Sequence, residues 1–220
     1  MYTFSSQFSE LMEDVSMVLA RGSTIVANET IDGIYCVKQG FVKRFFIKND
    51  GSISVQGIYG SGDCFGISAL CNDLIEPDFY KGSEEYYYEA MSDDVQLQFI
   101  PKNNLLTALL RDKSLYQDLF SILASHSLSD IWILENKGIN NAYRQVAHIL
   151  TFYATRYGKK QGTSRCIDVP FTQQDLADIL GMSRETVSHS IAELKRSGFI
   201  KGRRTLTVRD IDALKLEAYR

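Results

Sequence analysis

Three prolines, one tryptophan and three histidines are few for 220 residues. No apolar run approaches the roughly 20 residues that a membrane-spanning helix needs, so no membrane partner is expected. The opening Met1–Ser6 stretch has neither a basic flank nor an apolar core, so no secretion signal is expected and the cytoplasm is the expected location. The four cysteines, Cys36, Cys64, Cys71 and Cys166, form no C-x-x-C pair. A structural zinc site usually draws on such close pairs, so no metal is expected, and the cysteines read as small buried hydrophobes. No glycine-rich phosphate loop occurs, and of the histidines His126, His148 and His189 two sit on helices with no carboxylate or nucleophile placed to form a triad. Catalysis is therefore not expected.

What the chain does have is bulk and asymmetry. Twelve Phe and twelve Tyr within a 45% apolar composition exclude whole-chain disorder, and the length suits two small domains. The net charge of −3 conceals an uneven split. Up to Lys137 there are ten Lys and Arg against nineteen Asp and Glu; after it, fourteen against eight. Either only the second part meets a polyanion, or both are ordinary solvated surfaces.

From Gly22 to Pro101 short strands alternate with turns. Ile34–Val37, Phe41–Ile47, Ser52–Tyr59, Tyr86–Ala90 and Val95–Ile100 are rich in β-branched and aromatic residues. Asp50-Gly51 between two such runs predicts a hairpin closed by a primed turn. Strands at this spacing predict an antiparallel sandwich or barrel. Between Leu105 and Lys137 neither Gly nor Pro occurs, and the spacing predicts a long helix. Leu115, Leu119 and Ile122 recur at helical spacing; after the polar trio Ser125-His126-Ser127, Leu128, Ile131 and Trp132 resume on a shifted phase. Such a rhythm favours self-association over packing on the helix's own sheet. Gly138 then marks a hinge, followed by a helix with Val146, Ile149, Leu150, Tyr153 and Tyr157 on its apolar stripe. Lys159–Ser164 reads as a basic loop, and Cys166–Val169 as a short strand.

The segment Phe171–Leu194 is the most specific in the chain. Thr172 and Asp175 set a capping box at its start, with Asp in place of the usual Glu or Gln. Leu176, Ala177 and Leu180 give a first helix its buried face. Gly181 supplies a turn with positive φ, Met182 fills the corner and Ser183 caps a second helix with Val187, Ile191 and Leu194 facing inward. This is the grammar of a helix-turn-helix. Arg184, Glu185, Ser188 and His189 fall on the opposite side, within the first two turns, the part of such a helix that enters the DNA major groove. Arginine donates two bonds to guanine, and glutamate accepts one from cytosine. Ser183 and Thr186 suit phosphate oxygens, as do Thr172, Gln173 and Gln174 at the start of the first helix. Gly198 ends the second helix. Phe199-Ile200 and Thr205–Val208 then form a hairpin whose Lys201, Arg203 and Arg204 place cations on a phosphate backbone. Ile211, Leu214 and Leu216 close the domain.

This order of parts resembles the Crp/Fnr family of bacterial transcription regulators. Ser183-Arg-Glu-Thr-Val187 is similar to the family's recognition helix; Tyr35–Val42 and Gly62–Gly66 resemble turns of cyclic-nucleotide-binding folds. The resemblance implies an α+β chain: an N-terminal antiparallel β-roll, a cyclic-nucleotide-binding-like jelly roll, over 1–110, a dimerisation helix over 111–137 and a C-terminal winged helix-turn-helix over 138–220. It also implies a homodimer on a two-fold symmetric double-stranded operator, and RNA polymerase as a partner when activating.

Two departures modify those expectations. His189 stands where the family often has a second arginine, and Ser190 where an apolar residue is common. Members that bind cyclic AMP carry a Gly-Glu pair and an Arg-Ser/Thr. Here Phe65, Gly66, Ile67 and Ser68 offer no glutamate, and Gly82–Tyr86 offers Glu84 and Glu85 instead of an arginine. Carboxylates repel a cyclic phosphate, so cyclic AMP is not an expected effector. The N-terminal cysteine cluster of oxygen-sensing members is absent, so neither is an iron–sulfur cluster. Phe65–Ser68 with Tyr86 and Tyr88 is the candidate pocket for an unidentified effector, although alternate tyrosines on a strand, as in the cluster at 80 and 86–88, are more often core and edge filler. Two alternatives stand beside the regulator: a thiol-redox-responsive version of the same fold, and a winged-helix protein-interaction module without operator binding.

Overall fold

A computed structural model describes residues 5–11, 16–27, 32–70, 86–203 and 205–220. The chain divides into two compact units, Met1–Ser127 and Leu128–Arg220. The first contains α1 (Ser6–Leu11), β1 (Met17–Leu19), β2 (Thr24–Ala27), β3 (Gly33–Gln39), β4 (Phe41–Ile47), β5 (Ile53–Gly60), β6 (Cys64–Phe65), a 3-10 turn (Ile67–Leu70), β7 (Tyr86–Ala90), β8 (Val95–Pro101) and α2 (Lys102–Arg111). These strands form two antiparallel sheets, ordered β1-β8-β3-β6 and β2-β7-β4-β5. The five strands expected from the sequence are present, and β1, β2 and β6 join them.

Period-two patterning explains how the first sheet serves two cores. Val37 of β3 joins Phe65, Val95 and Leu97, and meets Val42, Tyr59, Tyr88 and Ala90 from the other sheet. Ile34 and Cys36, on the opposite face of β3, pack with Cys64, Ile67 and Ile100 and are covered by Phe8, Leu105, Leu109, Leu115 and Ile122 from helices.

The β4–β5 turn differs from expectation. No residue other than glycine has positive φ among the described residues, so Asp50-Gly51 is not a two-residue primed turn. Gly51 alone sits at φ +82°; its N–H donates to the Lys48 carbonyl while the Asp50 carboxylate accepts from Ser52. This is a three-residue loop ending in a left-handed glycine.

The long helix differs too. It is interrupted at Asp112, giving α2 and α3 (Leu115–Lys137). Asp112 adopts an extended backbone and its carboxylate accepts from the Ser114 N–H, a local bond that competes with helix continuation. Leu115 and Ile122 are buried against the first unit's own core, with Leu119 packed on it. Self-association was expected of these residues, yet the faces left outward at this end of α3 carry Tyr116, Phe120 and Leu123.

The second unit contains the C-terminal half of α3, α4 (Ala142–Tyr157), β9 (Gly158–Gln161), β10 (Ser164–Ile167), α5 (Gln173–Leu180), α6 (Arg184–Arg196), β11 (Ile200–Lys201), β12 (Thr207–Val208) and α7 (Ile211–Tyr219). Asn141 caps α4, whose residues Val146–Ala154 are all buried; α6, α7 and β10 pack around it. Gly138 lies inside this unit, and its turn is tied down: the Gln145 amide donates to the carbonyls of Ile139 and Asn136, while Asn136 donates back to Gln145. The supposed basic loop Lys159–Ser164 is a hairpin, β9–β10, and the strand expected at 166–169 runs from 164 to 167. Its sheet, ordered β11-β12-β10-β9, includes the wing strands. Leu214 is fully buried on α7 as expected, but Leu216 is 75% exposed. Ala218 takes the inward position instead, because 211, 214 and 218 share a face of a 3.6-residue helix and 216 does not.

Candidate nucleic-acid interface

The first helix of the pair, α5, is fixed by its cap. Thr172 Oγ1 accepts from the Asp175 N–H at 3.1 Å, and the Asp175 carboxylate accepts from the Thr172 N–H and hydroxyl, both at 2.7 Å. Both halves of the capping box are therefore made. Leu176 and Ala177 are buried as expected, and Ile179 is more enclosed than the half-buried Leu180. Gly181 ends the helix at φ +66° and ψ 35°, a conformation that a Cβ disfavours even with open space around it. Met182 is half-buried at the corner.

Ser183 caps α6 through a 3.1 Å bond from the Thr186 N–H to its Oγ, and the two hydroxyls lie 2.9 Å apart. Val187, Ile191 and Leu194 are buried beneath. Ser190, polar where an apolar residue was expected, is also buried, and its hydroxyl is satisfied by donating to the Thr186 carbonyl at 2.9 Å. The other side is free of the core: Arg184, Glu185 and His189 are exposed and Ser188 is half-exposed. Four of the helix's own N–H groups lie at its first turn, where the macrodipole favours an anion. The arrangement brings a cation, a carboxylate, an imidazole and the helix N-terminus to one surface.

The helix ends in a Schellman motif. The Gly198 N–H donates to the Lys195 carbonyl, the Phe199 N–H donates to the Leu194 carbonyl, and Gly198 has φ +79°. This turns the chain directly into β11, so the wing starts from the C-terminus of α6. Lys201 and Arg203 are exposed in the wing, whereas Arg204 lies outside the described residues. Of the residues expected at phosphate, Thr172 and Gln174 are exposed and Gln173 half-exposed; the Gln174 amide donates to Asp178 at 2.7 Å.

The candidate effector residues gather otherwise. Phe65 and Tyr88 stack at 4.3 Å between the sheets, with Tyr35 and Tyr59 against Phe65 at 5.2 and 5.6 Å. Burial pushes the Tyr88 phenol up, against the opposing pull of Arg44 and the Gly66 N–H. Tyr86 is exposed, with the Arg44 guanidinium 5.5 Å over its ring, and Ile67 is buried in the other core. The side chain of Ser68, and residues Cys71, Tyr80 and 82–85, lie outside the described residues. Sequence reasoning missed Arg44, which no local motif marks; only the β4–β7 register sets it opposite Tyr88. Among the described residues no group of three or more His, Cys, Asp or Glu is placed to hold a metal ion.

Residues 144–217 match the Crp-like helix-turn-helix domain. Over 89% of its length the chain is 22% identical to the fumarate and nitrate reduction regulatory protein of Escherichia coli (strain K12), of which the match covers 75%. It is 24% identical to the transcriptional activatory protein AadR of Rhodopseudomonas palustris, covering 85% of this chain and 75% of that one. Among solved structures, FixK2 from Bradyrhizobium japonicum superposes with a TM-score of 0.71 at 20% identity, covering 90% of this chain and 93% of its own. A CRP/FNR-family transcriptional regulator from Thermus thermophilus gives 0.67 at 24%, covering 93% and 98%. The architecture is thus the one these regulators have, over nearly the whole chain.

Proposed function

We propose that the chain, whose residues 144–217 match the Crp-like helix-turn-helix domain, is a transcription regulator of the Crp/Fnr type that reads a two-fold symmetric DNA operator as a homodimer, with Arg184, Glu185, Ser188 and His189 facing base edges. The observation that carries this reading is the division of α6: its inward face is wholly apolar or satisfied, while the first two turns present Arg184, Glu185 and His189 outward from an intact cap. Thr172, Gln173, Gln174, Ser183 and Thr186, with Lys201, Arg203 and Arg204 of the wing, take the phosphates. The excess of cations after Lys137 supports a polyanionic partner for this part of the chain. The exposed cations of the wing argue against a protein-interaction module without operator binding.

The second copy is supported by α3, which leaves Phe120 at 70%, Leu128 at 60% and Leu134 at 61% exposure. In water such residues along one helix are a cost that a partner helix removes. The first unit serves as the sensor, with its effector site at Phe65–Ser68, Tyr86 and Tyr88; cyclic AMP is not assigned to it. Where the bound dimer activates, RNA polymerase is the further partner, and the cytoplasm is the place of action. No helix among the described residues is long and apolar enough to cross a membrane.

Footprinting on the DNA upstream of the chain's own coding region tests the reading. Two protected half-sites about 34 Å apart, one helical turn, are expected. Arg184→Ala should abolish the preference for that site while weakening binding to unrelated DNA far less. Equal loss on all sequences would reject the base-reading role.

A further inference from the structure

We infer that Cys36 and Cys64 form a redox-active dithiol, whose oxidised state is a disulfide joining β3 to β6 within one chain. The inference goes beyond the DNA-binding reading and stands whether or not α6 touches bases.

The two cysteines are direct partners in the antiparallel register, both are free thiols, and each is only 1% exposed. The next residue pair fixes the geometry. The Val37 N–H donates to the Asp63 carbonyl at 2.8 Å, so the hydrogen-bonded position is 37–63 and the position 36–64 is a non-hydrogen-bonded one. At such positions opposed Cα atoms lie about 4.5 Å apart, within the roughly 4.4–6.8 Å that a disulfide spans without backbone movement. Both side chains enter the same apolar cluster, beside Ile34, Ile67 and Ile100.

The location gives the bond something to control. β6 is the edge strand of its sheet and is held to β3 through two residue pairs, Tyr35–Phe65 and Cys36–Cys64. Phe65 carries the ring that stacks on Tyr88 of the facing sheet. A covalent link at 36–64 fixes the strand bearing that ring, and with it the contact between the two sheets.

A low-molecular-weight disulfide is a sufficient oxidant. One cysteine thiolate attacks a sulfur of the reagent and expels one reagent thiolate, giving a mixed disulfide. The second cysteine thiolate attacks the protein-side sulfur and expels the other. Two protein thiols are oxidised to one disulfide, the reagent is reduced to two thiols, and the two protein protons pass to the leaving thiolates. The attacking species is the thiolate, and burial pushes the Cys64 thiol well up. Reaction is therefore slow at neutral pH, proceeds when the short edge strand frays, and accelerates as pH rises.

The test uses the full chain with Cys71→Ser and Cys166→Ser, incubated with oxidised glutathione in native buffer. The expected result is a mass lower by two hydrogens, no alkylatable thiol, a linked peptide containing positions 36 and 64, reversal by dithiothreitol, and a rate that climbs between about pH 7 and 9. The oxidised form should melt several degrees above the reduced form, because closing the loop restricts the unfolded chain. The same peptide map of the unsubstituted chain guards against misfolding of the variant. Thiols that stay free in the folded protein, a bond that forms only in urea, stable single glutathione adducts, or a linkage through Cys71 or Cys166 would each overturn the inference.

Discussion

His148 Nε2 lies 2.8 Å from the hydroxyl of Tyr219, and that hydroxyl donates to the Glu135 carboxylate at 3.2 Å. At the other side of the ring the Asn136 amide nitrogen is 3.2 Å from Nδ1. An amide NH2 only donates, so Nδ1 accepts and the imidazole proton resides on Nε2. The neutral ring thereby ties α3, α4 and α7 together, with Trp132 stacked on it at 4.7 Å.

A pH dependence follows from that arrangement. Burial holds His148 below the ordinary histidine value of 6.5; the Glu135 carboxylate opposes this and the Lys215 cation adds to it. The unfolded chain therefore takes up the proton at a higher pH than the folded one. The contribution to stability is complete above 6.5 and is lost as pH falls through the lower folded value. We predict that the urea midpoint of the second unit drops on acidification below that point and that His148→Ala flattens this part of the profile. The variant should also cost about 2 kcal/mol at neutral pH, from the lost ring packing and the polar groups left unpaired. Trp132 is the chain's only tryptophan and lies in this unit, so its fluorescence is the direct readout.

The turn between the two site helices should respond to single substitutions in a graded way. Thr172→Ala removes one half of the capping box and should cost about 1 kcal/mol. Asp175→Ala should cost more, since the carboxylate serves both the N–H and the hydroxyl of Thr172 and is itself buried. Gly181→Ala meets no steric neighbour, so its cost is the left-handed backbone alone, about 1 kcal/mol. Urea titration followed by Trp132 would order the three; an Asp175→Ala chain as stable as Thr172→Ala would contradict the box as drawn.

These helices were legible in the sequence because their signals are local. Caps, the glycine turn and the spacing of Val187, Ile191 and Leu194 each lie within a few residues of what they determine. The long helix was legible over 115–137, but its start and the facing of its first turns were not, for a physical reason. Leu115, Leu119 and Ile122 form a sound apolar stripe, but a stripe does not say whether it faces its own sheet or another chain. The break at Asp112 depends on a carboxylate bonding two residues ahead, which competes with a helix that contains no Gly or Pro. The His148 network joins positions 71 residues apart, and Cys36 meets Cys64 only through strand register. No periodicity marks contacts of that kind.

The outward residues of α3 give a sharp expectation about assembly. Phe120→Asp and Leu134→Asp place charge at positions exposed in the single chain, so neither should disturb the fold. If a second copy covers them, each substitution buries an unpaired carboxylate and the dimer should give way to monomer in sedimentation. Operator affinity should fall with it, because two half-sites are then no longer held by one particle. A dimer that survives both changes would place the contact elsewhere.

Wing and recognition helix can be separated by salt. Lys201 is exposed on β11 and, in the proposed mode, meets only a phosphate, releasing one condensed counterion when it binds. Lys201→Ala should therefore weaken binding to operator and random duplex alike and lower the slope of log affinity against log salt by about 1. His189→Ala removes a group facing the bases from a helix whose cap is untouched. Its loss should concentrate on the operator, about 1–3 kcal/mol at the position read, with the salt slope nearly unchanged. Fluorescence anisotropy over a salt series with both duplexes distinguishes the two behaviours. If His189→Ala instead lowered the slope and left discrimination intact, the imidazole would be a phosphate contact, and the reading of bases would rest on Arg184, Glu185 and Ser188.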